Sequence, residues 1–328
     1  MRICLVTPAG ARSHHGNRTT AERWAYFLRQ LGHKVKVSES WNGEPSNLMI
    51  ALHARRSHAS IAGFASAYPD QSLVVVLTGT DLYRDIRFDE DARKSLDLAT
   101  QLVVLQEAGL AELEPRYRAK TRVIYQSAEP IPNRSPAKRR FEVCVVGNLR
   151  AEKDPFRAAL AARLLPEASR IRVTHVGRPT CEEFAEEALV HMRNNTRYRW
   201  LGELPRWQVR RLLSYAHLLV QSSFMEGGAN TVSEALAGGI PVIASDIPGN
   251  IGMLGEDYPG YYPAGDEEAL AGCLRQSEDD ADFYELLETR CATRKHLVRP
   301  ERERQELADL ATEAERCDGG SLCIRAER

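Results

Sequence analysis

The chain of 328 residues has no excess of either charge, with 44 lysines and arginines against 45 aspartates and glutamates and a formal net charge of −1. A dedicated nucleic-acid binder would carry a basic excess, so that class is set aside. No apolar run approaches the length that spans a bilayer, which argues against a membrane protein. The first residues enter R-I-C-L-V-T directly, without the charged-then-apolar leader of a secreted chain. Seven cysteines (Cys4, Cys144, Cys181, Cys273, Cys291, Cys317 and Cys323) include no C-x-x-C pair and no zinc spacing. An odd number, several of them in apolar stretches, fits buried thiols in a reducing cytoplasm better than a disulfide framework.

What is present is an alternation of short apolar runs with amphipathic stretches, the pattern of parallel sheets covered by helices. Strands are expected near Ile3 to Thr7, Lys34 to Ser38, Leu48 to Leu52, Leu73 to Leu77, Leu102 to Leu105 and Arg122 to Tyr125. A second series follows near Phe141 to Val146, Ile171 to Val176, Tyr198 to Leu201, His217 to Val220, Val242 to Ala244 and Gly260 to Tyr262. The clearest helices are Thr20 to Leu31, opened by a capping box of Thr19 with Glu22 and stopped at Gly32, and Ser57 to Tyr68. Between the two series runs S-A-E-P-I-P-N-R-S-P-A-K-R-R, with three prolines and no apolar period, which reads as a linker. The length exceeds one ordinary core. The expected division is therefore 1–126, a linker at 127–140, a second domain at 141–281, and charged helices with a frayed end at 282–328.

The stretch E-G-G-A-N-T-V-S-E, Glu226 to Glu234, sets two carboxylates eight positions apart around a glycine-rich loop. Gly227, Gly228, Ala229, Asn230 and Thr231 present backbone N–H groups at a helix start, an anion site suited to a diphosphate. The carboxylates can accept from sugar hydroxyls. The bland alternative makes Thr231 and Glu234 a capping box. Upstream, F-E-V-C-V-V-G-N-L-R-A-E-K-D-P gives a buried strand stopped at Gly147 and Asn148, then Arg150 and Lys153 in a loop. Fixed cations there would meet the charge that builds on a departing diphosphate.

These two motifs resemble the Glu-x7-Glu signature and the glycine–cation loop of retaining GT-B glycosyltransferases of the glycosyltransferase 4 group. The resemblance implies two doubly wound Rossmann-like domains facing each other across a cleft. It also implies a UDP-sugar site with Glu226, Arg150 and Lys153 as catalytic residues. In that group an arginine directly follows the glycine and a lysine stands six positions after it; here Asn148 holds the first place, Arg150 is the nearest arginine, and Lys153 holds the second. The last helix is expected to return to the first domain.

The first half offers polar loops at the ends of its first, third and fourth strands, where open α/β sheets bind ligands. Gly16, Asn17 and Arg18 close the loop after the first strand. His53, Arg55 and Arg56 follow the third, and Thr78, Thr80 and Asp81 follow the fourth. Three arginines at one sheet edge suit a phosphate-like acceptor better than a neutral sugar; the competing reading pairs them structurally with Asp81 or Glu107. His14 and His15 are further loop candidates. The segments P-A-G-A-R-S-H-H-G-N-R-T-T-A-E-R-W, L-H-A-R-R-S, L-T-G-T-D-L-Y and G-N-L-R-A-E-K-D-P together are similar to the selenosugar synthases of selenoneine biosynthesis, a branch of that group. The similarity runs over the chain up to about the last helix. It implies transfer of a glycosyl group, GlcNAc or Glc, from a UDP-sugar to selenophosphate, giving a 1-selenosugar with UDP and phosphate, and handover to other enzymes of that pathway.

Asp89-Glu90-Asp91 and Asp280-Ala281-Asp282 match D-x-D, but both lie in charged helical or loop stretches, so no metal or other cofactor is expected. Competing classes are a retaining transferase acting on a hydroxyl, a sugar-nucleotide epimerase or phosphorylase, and a non-catalytic sugar-nucleotide sensor. Intact Glu226, Glu234 and Lys153 speak against the sensor, and an epimerase would leave the arginines without a purpose.

Overall fold

A computed structural model describes residues 1–10 and 16–319. It divides into two compact units, Met1–Gln126 joined by the chain from Pro300 onward, and Ser127–Arg299. The first holds β1 Arg2–Val6, β2 Lys34–Ser38, β3 Leu48–Leu52, β4 Ser72–Leu77, β5 Gln101–Val104 and β6 Thr121–Val123, all parallel in the order β2-β1-β3-β4-β5-β6. β3 and β4 are buried at every position, as strands covered on both faces should be. The covering helices are α1 Gly16–Gln30, α2 His58–Ala67, α3 Ile86–Phe88, α4 Glu90–Leu98 and α5 Pro115–Arg118.

In the second unit the parallel order is β12-β11-β10-β7-β8-β9. Its strands are β7 Phe141–Val146, β8 Ile171–Val176, β9 Tyr198–Trp200, β10 Leu218–Gln221, β11 Val242–Ser245 and β12 Tyr261–Tyr262. Its helices are α6 Arg157–Arg163, α7 Glu182–Asn194, α8 Arg206–Tyr215, α9 Asn230–Gly238, α10 Pro248–Leu254, α11 Glu267–Asp279 and α12 Ala281–Arg294. Both orders reverse direction once: between β1 and β3 in the first unit, and between β7 and β10 in the second. The carboxyl ends flanking such a reversal form a ready crevice.

Helix α13, Pro300–Gly319, packs with the first unit. Its Leu307, Leu310, Ala311 and Ala314 join the core around Trp24 and Leu28 of α1. Its buried Glu303 accepts from Trp24 Nε1 at 2.7 Å and from Arg23 Nε at 2.7 Å. The sequence reading assigned everything after 281 to this return, but α12 stays with the second unit. There Leu287 and Cys291 are buried, Tyr284 donates to His217 O at 3.0 Å, and Arg294 Nε donates to Met253 O at 3.1 Å. The proline-rich stretch is also bound into the second unit, through Ala128 N to Val298 O at 3.1 Å and Ser135 N to Ser214 O at 2.9 Å. The helix continues to Gly319, so the frayed end expected from Cys317 is not seen there; 320–328 lie outside the described residues.

α1 begins at Gly16, four residues before the expected start. Thr19 does not cap it: Glu22 is paired with Arg18 at 2.7 Å, and Thr20 Oγ1 bonds back to Gly16 O at 3.0 Å. Its end is as read, with Gly32 at φ 88 and His33 N bonded to Leu28 O at 3.1 Å, a left-handed helix stop.

Candidate functional site

β7 and β10 are adjacent, so Gly147 to Lys153 and Ser222 to Ala229 leave the sheet side by side. The two loops are stitched together by hydrogen bonds onto the backbone carbonyls of the first. Phe224 N donates to Glu152 O at 2.9 Å, and Ser222 Oγ donates to Asp154 O at 2.9 Å and Lys153 O at 3.1 Å. Asp154 ends the short 3-10 turn Ala151–Lys153 in the left-handed region, with φ 43. That reversal lets the chain turn from the lysine into α6.

The stitching brings Lys153 Nζ onto Glu226 Oε1, an ion pair between residues 73 apart in sequence. The same oxygen accepts from Gln221 Nε2 and from Ser223 Oγ, each at 2.6 Å. Glu226 is only 7% exposed, so the pair is nearly enclosed. Gly227, Gly228 and Ala229 are also buried. They deliver the chain into α9, whose N-cap is Ala229 with no side-chain cap hydrogen bond. Thr231 is therefore inside the helix, and its hydroxyl donates to Gln221 Oε1 at 2.9 Å, so the Thr231–Glu234 capping box does not form. Glu234 is half-buried, with Arg206 Nε of α8 at 3.8 Å.

Gly147 is held from beneath. Buried His175 has Nε2 3.2 Å from Gly147 O and Nδ1 2.9 Å from the Tyr198 hydroxyl. The carbonyl can only accept, so Nε2 carries a proton and donates to it. Burial pushes its pKa down to about 4. Gly177 must be glycine, because a Cβ there would lie 1.8 Å from Gly147 O. A Cβ on Gly249 of α10 would lie 1.9 Å from Glu226 O. Asn148 Oδ1 accepts from Arg178 N at 3.2 Å. Arg150 is half-buried and forms no ion pair among the described residues.

Of the residues singled out in the second unit, the structure thus joins Lys153 to Glu226 and places Arg150, Gly147 and Asn148 on the adjoining loop. The sequence reading missed Gln221, Ser223, His175, Gly177, Arg178 and Gly249. Gln221 and Ser223 had a signal, a polar pair ending an apolar strand just before the carboxylate. The two glycines had none, since each is defined by a segment distant in sequence.

In the first unit the carboxyl ends of β3 and β4 make a second polar cluster. Asp81 is fully buried: Oδ1 accepts from Thr78 N at 2.8 Å and Gly79 N at 2.9 Å, and Oδ2 accepts from Ala54 N at 2.9 Å. It fastens the two loops from a fully buried position. His53 sits in the left-handed region with φ 74, buried, with Nδ1 accepting from Arg56 N at 3.3 Å and Nε2 donating to Thr80 Oγ1 at 3.0 Å. Arg55 Nε lies 3.0 Å from Asp85 Oδ2, where geometry makes it an ion pair rather than a directed hydrogen bond. Arg18 is paired with Glu22 within α1. Arg56 is exposed and unpaired among the described residues. Gly16, Asn17 and Arg18 form the first turn of α1 rather than a loop before it. The competing reading paired the arginines with Asp81 or Glu107; among the described residues Arg55 is paired with Asp85 and Arg18 with Glu22 instead. His14 and His15 lie outside the described residues.

Both D-x-D stretches have a structural use. Asp89 caps α4 through Ala92 N at 2.9 Å, and Asp280 caps α12 through Asp282 N and Phe283 N at 3.0 Å. Among the described residues no group of three His, Cys, Asp or Glu side chains could hold a metal ion, and no helix is long and apolar enough to cross a membrane.

Comparison with known proteins identifies the family and the fold. Residues 128–293, just over half of the chain, match the model of the family described as glycosyl transferases group 1. The chain belongs to the glycosyl transferases group 1 family, and its two parallel-sheet α/β units are those of the GT-B fold. No curated protein matches its sequence. It is similar in fold to the Anabaena protein Alr3699/HepE, solved in complex with UDP and glucose, with 15% identity, a TM-score of 0.76 and coverage of 95% of this chain and 100% of that one. It is likewise similar to the sucrose-phosphate synthase of Thermosynechococcus elongatus, with 17% identity, a TM-score of 0.77 and coverage of 96% and 99%. The pneumococcal O-GlcNAc transferase GtfA, solved with UDP and GlcNAc, matches with 15% identity and a TM-score of 0.66 over 90% of this chain and 60% of that one.

Proposed function

We propose that the chain is a UDP-sugar-dependent glycosyltransferase of the selenosugar synthase kind, moving GlcNAc or Glc onto selenophosphate. The observation that carries the donor half is the Lys153–Glu226 pair at the reversal of the second sheet, beside the start of the nine-residue α9, whose N-cap Ala229 makes no side-chain cap hydrogen bond. A diphosphate laid at that helix end meets aligned N–H groups, with Arg150 and Lys153 beside it. Glu226 takes hydroxyls of the sugar ring, and Glu234 takes those of the ribose. Gly147, Asn148 and the loop Gly227 to Thr231 supply the remaining backbone and amide contacts. These cations take the place of a metal at the leaving group. HepE and GtfA, both of this fold, were solved with UDP, which supports the choice of nucleotide.

For the acceptor half, Arg55 and Arg56 at the end of β3, with Arg18 on α1, grip the phosphoryl oxygens while His53, Thr78 and Thr80 line the same sheet end. Selenium attacks C1 of the sugar and forms the C–Se bond. The C1–O bond breaks, and its electron pair leaves on the β-phosphate oxygen of UDP. Water then cleaves the Se–P bond, releasing phosphate and leaving the 1-selenosugar for the next enzyme of selenoneine formation. Positioning of the two reactants is the main contribution such a site makes.

One observation favours a hydroxyl acceptor as the second reading: Arg18 and Arg55 already carry acidic partners, which reduces the net charge offered to an anion. Chromatographic measurement of UDP release from UDP-GlcNAc and UDP-glucose, with selenophosphate, with sugar alcohols and with neither, separates the two. UDP release that depends on selenophosphate is expected. Release with hydroxyl acceptors and none with selenophosphate overturns the reading. Arg56→Ala is expected to raise KM for selenophosphate before it changes that for the UDP-sugar.

A further inference from the structure

Lys153 is drawn to the glycine loop by its contact with Glu226, yet that same contact already neutralises it. On the loop from Gly147 to Lys153 only Arg150 then adds net positive charge against a diphosphate that carries at least two negative charges. The structure supplies another guanidinium on the neighbouring strand end. β7 and β8 pair in register over six positions, from Phe141↔Ile171 to Val146↔Val176. The ladder continues past the strand ends, with Gly147 N to Val176 O at 2.9 Å, Leu149 N to Arg178 O at 2.9 Å and Thr180 N to Leu149 O at 3.0 Å. Residue 178 therefore lies opposite 148, and its N–H donates to Asn148 Oδ1 at 3.2 Å. The contact of Gly177 with Gly147 O permits no side chain between the two segments and locks this register.

The Arg178 backbone is thus as rigid as the sheet, while its side chain is exposed and enters no ion pair or side-chain hydrogen bond among the described residues. An arginine held by its backbone and left without an acid, beside a glycine turn, is poised for a ligand anion and not for a structural pair. We propose that Arg178 grips the diphosphate of the bound nucleotide, so that Arg150 and Arg178 supply the net positive charge that the Lys153–Glu226 pair does not. This rests on the donor reading above and assigns the nucleotide grip to a strand outside the Glu226 to Glu234 motif.

Calorimetry on the full chain tests it, with UDP and with uridine, which has the same base and ribose but no phosphate. Arg178→Ala is expected to weaken UDP binding at least about tenfold, the loss of one charge-assisted hydrogen bond, while uridine binding and the thermal midpoint stay as in the parent protein. Arg178→Lys should fall between the two, since an ammonium cannot bind bidentately. Asn148→Arg added to Arg178→Ala should recover part of the UDP affinity, because residue 148 lies beside the vacated position. UDP affinity unchanged in Arg178→Ala, or UDP and uridine weakened equally, overturns the assignment. A folded parent protein that binds no UDP overturns the donor reading itself, which is a separate result.

Discussion

Removing the Lys153 charge while leaving Glu226 in place should strand a carboxylate in a nearly closed site. Glu226 is 7% exposed, and its Oε1 keeps two neutral donors, Gln221 Nε2 and Ser223 Oγ, once the lysine is gone. Breaking a buried ion pair by deleting one partner costs about 3–5 kcal/mol. Each surviving neutral hydrogen bond offsets about 1 kcal/mol, and the Lys153 side chain is 20% exposed, which admits some water. Lys153→Met, which keeps the stem volume, should therefore cost about 1–3 kcal/mol. Glu226→Gln keeps a carbonyl oxygen for Gln221 and Ser223, and its stranded ammonium can turn to water, so about 1 kcal/mol is expected. The double variant has no unpaired charge and should be more stable than Lys153→Met alone, a coupling of about 2 kcal/mol.

Urea denaturation at neutral pH reads these values from shifts in midpoint at constant slope. Where the two units unfold separately, the transition of the second is the one whose tryptophan fluorescence amplitude disappears in a Trp200→Phe/Trp207→Phe background. Single-variant costs that merely add in the double variant, or a Lys153→Met cost below about 0.5 kcal/mol, would refute the claim that this pair is the energetic centre of the site.

Further outcomes follow from other contacts. His175 is neutral in the folded chain with a pKa near 4, against about 6.5 when unfolded, so the unfolded state holds the extra proton between those values. Stability is full above pH 6.5 and should fall by about 3 kcal/mol as pH drops to 4; His175→Gln, which can still donate to Gly147 O, should flatten that fall in acid-denaturation curves. Gly249→Ala should lose about 1–3 kcal/mol by urea denaturation and depress turnover, because its Cβ would overlap Glu226 O. Glu303→Ala should destabilise the first unit by about 3 kcal/mol, since Trp24 Nε1 and Arg23 lose their shared acceptor, and should expose α13 to proteolysis earlier than the parent chain. Glu234→Ala should weaken UDP binding at least about tenfold in calorimetry, and unchanged affinity would reduce Glu234 to a partner of Arg206.

The strands were the most legible part of the sequence. Leu48–Leu52, Phe141–Val146 and Ile171–Val176 were read to the residue, because a strand buried on both faces is a continuous apolar run with abrupt polar ends. Helix starts were read less well, for a common reason. The capping box read at Thr19 and the alternative weighed at Thr231 both rested on a Thr-x-x-Glu spacing, and in both the groups found other partners: Glu22 took Arg18, and Thr231 took Gln221. A local motif predicts its local bond only when no tertiary group competes for it. The domain division failed at α12 for a similar reason, since charge on the exposed faces hid the buried contacts of Leu287 and Cys291. In the second unit, the sequence offered Glu226, Arg150 and Lys153 as separate candidates. That two of them meet depends on β7 and β10 being neighbours, which follows from chain topology and not from spacing.

The charge pattern of the two polar clusters bears on how each could take a ligand. In the second unit Lys153 is held by Glu226, and in the first Arg55 is held by Asp85 and Arg18 by Glu22. Each cation is thereby kept in place without a ligand, so little side-chain entropy is lost when one arrives. The cost is competition, because an incoming phosphate must share or displace a carboxylate that is already bound. Lys153–Glu226 is enclosed and hydrogen-bonded on the acid side, so sharing is the cheaper course there: the ammonium has three protons and can donate to a phosphate oxygen while keeping Glu226. Arg18–Glu22 is open to water on the acid side, where exposed pairs are worth little, and exchange costs correspondingly less. A ligand at the first site should therefore bind with an affinity that falls with added salt, and one at the second should depend on salt less. Titrations of UDP and of selenophosphate at low and high ionic strength, carried out on one preparation, should diverge in that sense; equal salt dependence would mean that the pairs do not govern either site.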